Sequence, residues 1–272
     1  MIARFRSVWA GTRCLWLSSR VVLVPMAVLC LVIGVSAVAA SFRVDPGEAA
    51  SLPSAIDAGA YEMYGMREVD PLQRLVVINP TWFLPFFFVA GSACWASTRW
   101  KSFSAQIVSR SHSRVCWGCS LVLWVVLASA CWVACYAIVC GLLGLMSGVS
   151  NGLSFTSAVT AMMGAPAPGA GYADALQWMA AHAVWLVALG SVAAFLSIAV
   201  KPVLSFFACL VVLVASVYEQ GVAFLPDLAM AARGSLFVAG GASPEYAALV
   251  GVVWFALAAV GVIAVARRYE FR

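Results

Sequence analysis

Apolar residues gather along this chain into six runs, 21–40, 75–95, 115–142, 176–200, 202–218 and 246–266. Each is close to the roughly 17 to 25 residues that an α-helix needs to cross a hydrocarbon core about 30 Å thick. The pattern predicts an all-α polytopic membrane protein with six transmembrane helices. The first run follows a basic leader and contains Ala37-Val38-Ala39, which looks like the end of a secretory signal. Its apolar stretch is longer than the roughly 7 to 15 residues of a signal core, so it is read as a retained span.

Two further segments carry a one-sided pattern. In residues 1–20, Phe5, Trp9 and Trp16 share one arc of a helical wheel with Val8 and Leu15 beside it, and Arg6, Arg13 and Arg20 recur along its edge. An apolar strip bordered by arginines suits an amphipathic helix in the membrane interface, its guanidinium groups reaching lipid phosphates. The loop 96–114 holds Trp100, Phe103 and Ile107 at spacings of three and four, those of one helical face, and contains no acidic residue. Such a helix can rest on lipid or fill a groove on a soluble partner.

Composition narrows the class. Of 272 residues, 64% are hydrophobic and 10% charged, which excludes a water-soluble globule. The net charge of +5 would suggest an anionic partner in a soluble chain, but here the basic residues sort by segment. The leader, the loop 96–114, Lys201 and the tail together hold twelve Lys or Arg against Glu270 alone, whereas the alternate segments hold four against ten acids. Lys and Arg mark cytoplasmic loops, so both termini are expected on the cytoplasmic side of the plasma membrane, with an even number of crossings. Nucleic acid is not an expected partner.

A basic amphipathic leader, six spans with both ends inside, and a loop between spans two and three ending in Ser-Arg-Ser-His-Ser-Arg ahead of an aromatic-rich span resemble the membrane subunit of an ABC exporter, the ABC type-2 permease family. The resemblance covers nearly the whole chain. It implies residues 1–20 as a connecting helix on the inner face and residues 21–272 as one transmembrane domain. It also implies that loop 96–114 is a coupling element docking on an ATP-binding subunit through Trp100, Phe103 and Ile107 with Arg99, Lys101, Arg110 and Arg114. The segment 219–244 would be re-entrant, with Pro226 and Gly234 interrupting it, and a second permease copy, identical or a sister, would complete the transporter. The outer loop 41–74 is longer than the family's short link and carries Pro46, Pro53 and Pro71.

The chain is not expected to hydrolyse nucleotide itself. A phosphate-cradling loop needs Gly-x-x-x-x-Gly-Lys-Ser/Thr, and the two lysines, Lys101 and Lys201, lack that context. No enzymatic activity, cofactor or metal is expected. Ala130 with Ala134, and Gly144 with Gly148, place small residues four apart where helix backbones can approach, within one subunit or between two. Cys116-Trp117-Gly118-Cys119 has the spacing of a redox dithiol, but at the cytoplasmic end of a span cysteine more economically serves as a small apolar residue. His182 is the one ionisable residue well inside a span and is read as a neutral core imidazole. With no Asp, Glu, Lys or Arg well inside a span, an amphiphilic or hydrophobic cargo fits better than an ion. The alternatives are a membrane dithiol oxidoreductase using Cys116 and Cys119, or a membrane anchor that transports nothing.

Overall fold

The computed structural model describes residues 2–18, 20–41, 65, 80–102, 113–147, 172–218, 226–235, 238 and 240–268. Among them it forms seven α-helices: α1 (Ile2–Ser18), α2 (Arg20–Ser41), α3 (Pro80–Ser102), α4 (Arg114–Ser147), α5 (Tyr172–Ala199), α6 (Pro202–Tyr218) and α7 (Pro244–Arg268). Two short 3₁₀ turns, Pro226–Ala229 and Ala231–Arg233, lie between α6 and α7. No strand forms among the described residues, so the all-α expectation holds. Helices α3, α6 and α7 each open on a proline, Pro80, Pro202 and Pro244. At the first helical position a missing N–H costs nothing, because that group has no intrahelical acceptor, and the fixed φ already suits the helix.

The six apolar runs fall on α2 to α7. Three of these helices are long and apolar enough to cross a membrane, over Arg114–Leu143, Leu176–Ala199 and Pro244–Arg268. The chain is therefore a membrane protein. Helix α6 has only 17 residues. Helix α3 is diluted by Pro, Ser, Thr and the terminal Arg99 and Lys101. The outer loop 41–74 lies outside the described residues apart from Ser41 and Gly65.

Helix α5 is the hub, with α3, α4, α6 and α7 packed around it, while α1 and α2 lean on α4. Lipid tails are as apolar as leucine, so the hydrophobic effect cannot drive these helices together; close packing must. The chain meets this requirement by setting large rings against small residues. Trp82, Trp100, Trp117, Trp124, Trp132, Trp178 and Trp185 are all fully buried. Tryptophans in membrane proteins commonly ring the outside at headgroup depth; these face inward, and the outward surface is left to Val28, Leu31, Val203, Leu249, Leu257 and Val260.

Glycines receive the bulk. A Cβ on Gly251 would lie 2.9 Å from Val184 and 3.4 Å from the Trp185 ring, and one on Gly118 would lie 3.0 Å from Ala266 on α7. A Cβ on Gly190 would fall 2.8 Å from Val89 on α3 and 2.9 Å from Val125 on α4, at the point where three helices converge.

Helix α1 confirms an α-helical leader but divides its apolar arc. Thr12 and Leu15 are buried with Val8 half-buried beside them, while Phe5, Trp9, Arg6 and Arg13 stay exposed. One side of the leader thus packs on the bundle together with the half-buried Trp16, while Phe5 and Trp9 remain outside.

Gly190→Ala tests the convergence point, with Gly91→Ala as control because its nearest side-chain contact would be an ordinary 3.4 Å. Both substitutions gain the same helix propensity, so their difference isolates the clash. Thermal or denaturant unfolding in detergent should find Gly190→Ala less stable than Gly91→Ala by about 1–3 kcal/mol. Equal stabilities would show that the three helices are not held at this spacing.

Candidate functional site at the loop end of the bundle

Helix C-termini leave their last four carbonyls without intrahelical donors, and in an apolar setting these must find partners. At the end of the bundle flanking loop 96–114, basic side chains supply them. Lys101, in the last turn of α3, donates from Nζ to the Ser197 carbonyl in the last turn of α5 at 3.2 Å. Arg114, the first residue of α4, donates from Nη1 to the Arg267 carbonyl at the end of α7 at 3.1 Å. Each cation also faces the negative end of a helix dipole.

Between these two caps lies a stacked pair. The Trp100 and Trp117 rings are 3.4 Å apart and within 5° of parallel, and Trp100 Nε1 donates to the Trp117 carbonyl at 2.8 Å. Stacking adds about 0.5–1.5 kcal/mol beyond the area buried, and the bond satisfies an indole N–H that burial would otherwise strand. Arg99 lies over the Trp95 ring, 5.4 Å from its centroid. The leader reaches the same end, where the Thr12 hydroxyl shares its proton between the Val8 carbonyl of its own helix at 2.9 Å and the Ser120 carbonyl of α4 at 3.2 Å, three residues past Trp117.

The structure therefore brings Arg99, Trp100, Lys101 and Arg114 together, in a different arrangement from that implied by spacing. Trp100 was expected on an exposed apolar face with Phe103 and Ile107; it is fully buried, because a flat ring with one donor finds both a stacking partner and an acceptor in Trp117. Phe103, Ile107 and Arg110 lie outside the described residues. Trp117, Ser197 and Arg267 were not singled out from sequence. A basic residue just inside or beside a helix end was the available signal, but its acceptor belongs to a helix far along the chain.

The small residues divide. Ala130 and Ala134 are exposed and, with Ala137, Ala183, Val184 and Phe255, line an apolar groove of about 480 Å³ between α4, α5 and α7. At that depth they face an opening rather than another helix of this subunit. Gly144 lies in α4, and Gly148 lies outside the described residues. Cys116 is buried and Cys119 half-buried, both as free thiols, with the Cys116 amide donating to Ser113 Oγ at 3.4 Å. His182 is buried with its ring edge-on to Phe86, centroids 5.0 Å apart. Among the described residues, no three His, Cys, Asp or Glu converge to hold a metal ion.

Comparison with protein-family models, curated proteins and solved structures finds no match for this chain.

Two substitutions separate the ring from its donor. Trp100→Ala should cost about 3–5 kcal/mol of stability, as expected for a large buried aromatic. Trp100→Phe keeps a stackable ring but loses the N–H bond and part of the buried ring volume, and should cost less, about 1–3 kcal/mol. Unfolding midpoints in detergent check the order; two equal losses would show that the stackable ring contributes nothing of its own.

Proposed function

We propose that this chain is the permease subunit of an ATP-driven exporter of the ABC type-2 kind, working with a separate ATP-binding subunit and a second permease copy. The observation that carries the proposal is the convergence of two elements at one end of the bundle. The leader α1 packs on α4 at Ser120, and the root of loop 96–114 is anchored beside it by the Trp100–Trp117 stack and the Lys101 and Arg114 caps. A load applied to the loop would pass through Trp100 into α4, through Lys101 into α5 and through Arg114 into α7. That is the connection a transmembrane bundle needs if closure of an outside motor is to reach all of it.

On this reading the six apolar helices α2 to α7 cross the cytoplasmic membrane with both termini inside, and the Pro226–Ala229 and Ala231–Arg233 turns belong to a re-entrant outer segment. The tryptophan-filled core carries the fold, and cargo moves along apolar surfaces between helices. The groove lined by Ala130 and Ala134 is such a surface, and it suits a lipid, a hydrophobic peptide or a drug-like amphiphile. The dithiol alternative is weakened by the burial of Cys116 against the bundle, since thiol exchange requires that a substrate sulfur reach the attacking one.

Phe103→Asp tests the docking role. The site lies beyond the end of α3, so membrane insertion should proceed normally, whereas burying an unpaired carboxylate in an apolar partner groove typically costs several kcal/mol. The variant should reach the membrane at normal abundance, lose its ATPase partner on gentle detergent extraction and lose transport. An ATPase retained at wild-type stoichiometry would remove loop 96–114 from the docking role. The orientation is tested separately by thiol labelling of intact cells with an impermeant reagent: Ser54→Cys and Ser243→Cys should label above the parental background, and Ser102→Cys should not. Outside labelling at position 102 would invert the topology.

A further inference from the structure

At the other end of α6 the chain folds back over the bundle. The Pro226–Ala229 turn seats against α5, α6 and α7, and within the 226–235 segment Ala229, Met230, Ala231 and Ala232 are fully buried. Its own backbone is closed by short-range bonds, from the Met230 amide to the Asp227 carbonyl at 2.9 Å and from the Gly234 amide to the Ala231 carbonyl at 2.9 Å. Gly234 lies directly on the buried Trp178 ring, so close that a Cβ would overlap it. One side chain pins the segment down: Arg233 donates from Nη1 to the Ser216 carbonyl at 2.8 Å and from Nη2 to the Val217 carbonyl at 2.6 Å, capping α6.

A second side chain works against that seating. Asp227 is only 4% exposed, and its Oδ1 has no hydrogen-bond partner among the described residues. A buried carboxylate with an unmet oxygen is a standing cost while it is ionised and a small one once it is protonated. We propose that Asp227 is a proton-binding site that governs how tightly the 226–235 segment seats on the bundle. Other ionisable groups on the elements packed around it are Arg233 in the neighbouring turn, Asp174 and His182 on α5, Cys209 and Tyr218 on α6, and Glu245 and Tyr246 at the start of α7.

The direction follows from the environment. Burial pushes the Asp227 carboxyl up to about 6, against the Arg233 guanidinium and the Leu228 and Asp227 backbone amides, which favour the charged form. An acid whose pKa is higher seated than free holds its proton more tightly when seated. Seating is therefore strongest below about pH 4, weakens as pH rises from about 4 to about 6, and stays weak above that. A segment held by Arg233 at every pH and by neutral Asp227 only in acid is a cover that tightens on acidification. The proposal does not depend on the exporter reading and can fail or succeed without it.

The test is hydrogen–deuterium exchange of the full chain in lipid nanodiscs, following peptides that cover 226–235 and correcting for the intrinsic pH dependence of exchange. Protection in the wild type should fall about tenfold or more between about pH 4 and about pH 6.5, with a midpoint near about 5, and level off above that, while peptides from α5 stay constant. Asp227→Asn, permanently neutral and nearly isosteric, should stay protected across that range. Wild-type protection that does not change with pH would overturn the proposal, and so would an Asn variant that keeps the wild-type midpoint. As a second variant, Ala232→Cys places a thiol in the buried part of the segment; its labelling, normalised to the exposed Ser235→Cys, should rise over the same interval. A constant ratio would also overturn the proposal.

Discussion

Close contact between large rings and small residues is the constraint on which this bundle depends. In water a helix is driven inward by its apolar face; in lipid that drive is absent, and helices stay together only where their surfaces interlock. Seven fully buried tryptophans supply the volume, and glycines such as Gly234 and Gly251 supply the recesses. Gly190, with valines from two other helices in contact distance, shows how little slack remains where α3, α4 and α5 meet. Bringing tryptophan indoors imposes a second demand, because each indole carries an N–H. Trp100 and Trp185 meet it with the carbonyls of Trp117 and Ala247, whereas the Nε1 atoms of Trp82, Trp124 and Trp178 have no partner among the described residues.

The free carbonyls at helix ends shape the molecule in the same way. Lys101, Arg114 and Arg233 each reach across to the C-terminal end of a different helix, α5, α7 and α6 respectively. Read along the sequence, the first two contribute to the positive-inside bias that orients a membrane chain; read in three dimensions, they also tie one helix to another. The two roles are compatible, since a cation that remains near the headgroups is also near helix ends. Conformational change at the loop end cannot then be local, because moving α3 or α4 draws on bonds to α5 and α7.

Much of the fold was legible because hydropathy over roughly 20 residues is a strong signal, and α2 to α7 each coincide with an apolar run. One helix start was legible too, since the run 202–218 opens on Pro202, whereas the last helix begins at Pro244, two residues before the run 246–266. The site was less so. The spacing of Trp100, Phe103 and Ile107 suggests one face, but helical periodicity says nothing about which side of that face meets protein, and the deciding contact, Trp117, sits on a different helix. Asp227 was counted as an outer-loop charge, and its burial depends on how the 226–235 segment folds back, which no local pattern encodes. Ala130 and Ala134 were recognisable as small residues at packing distance; that they border an open groove depends on where α7 diverges from α4.

Helix α4 has 34 residues, which at 1.5 Å each makes a rod about 51 Å long. Even at a tilt of about 40°, the steep end of what transmembrane helices adopt, it would still extend about 39 Å along the membrane normal against a hydrocarbon thickness of about 30 Å. Some of α4 must therefore stand clear of the oil. A rod longer than the oil is thick must seat at least one of its ends at headgroup depth, so the thickness of the bilayer decides which turns of α4 meet lipid tails and which meet headgroups.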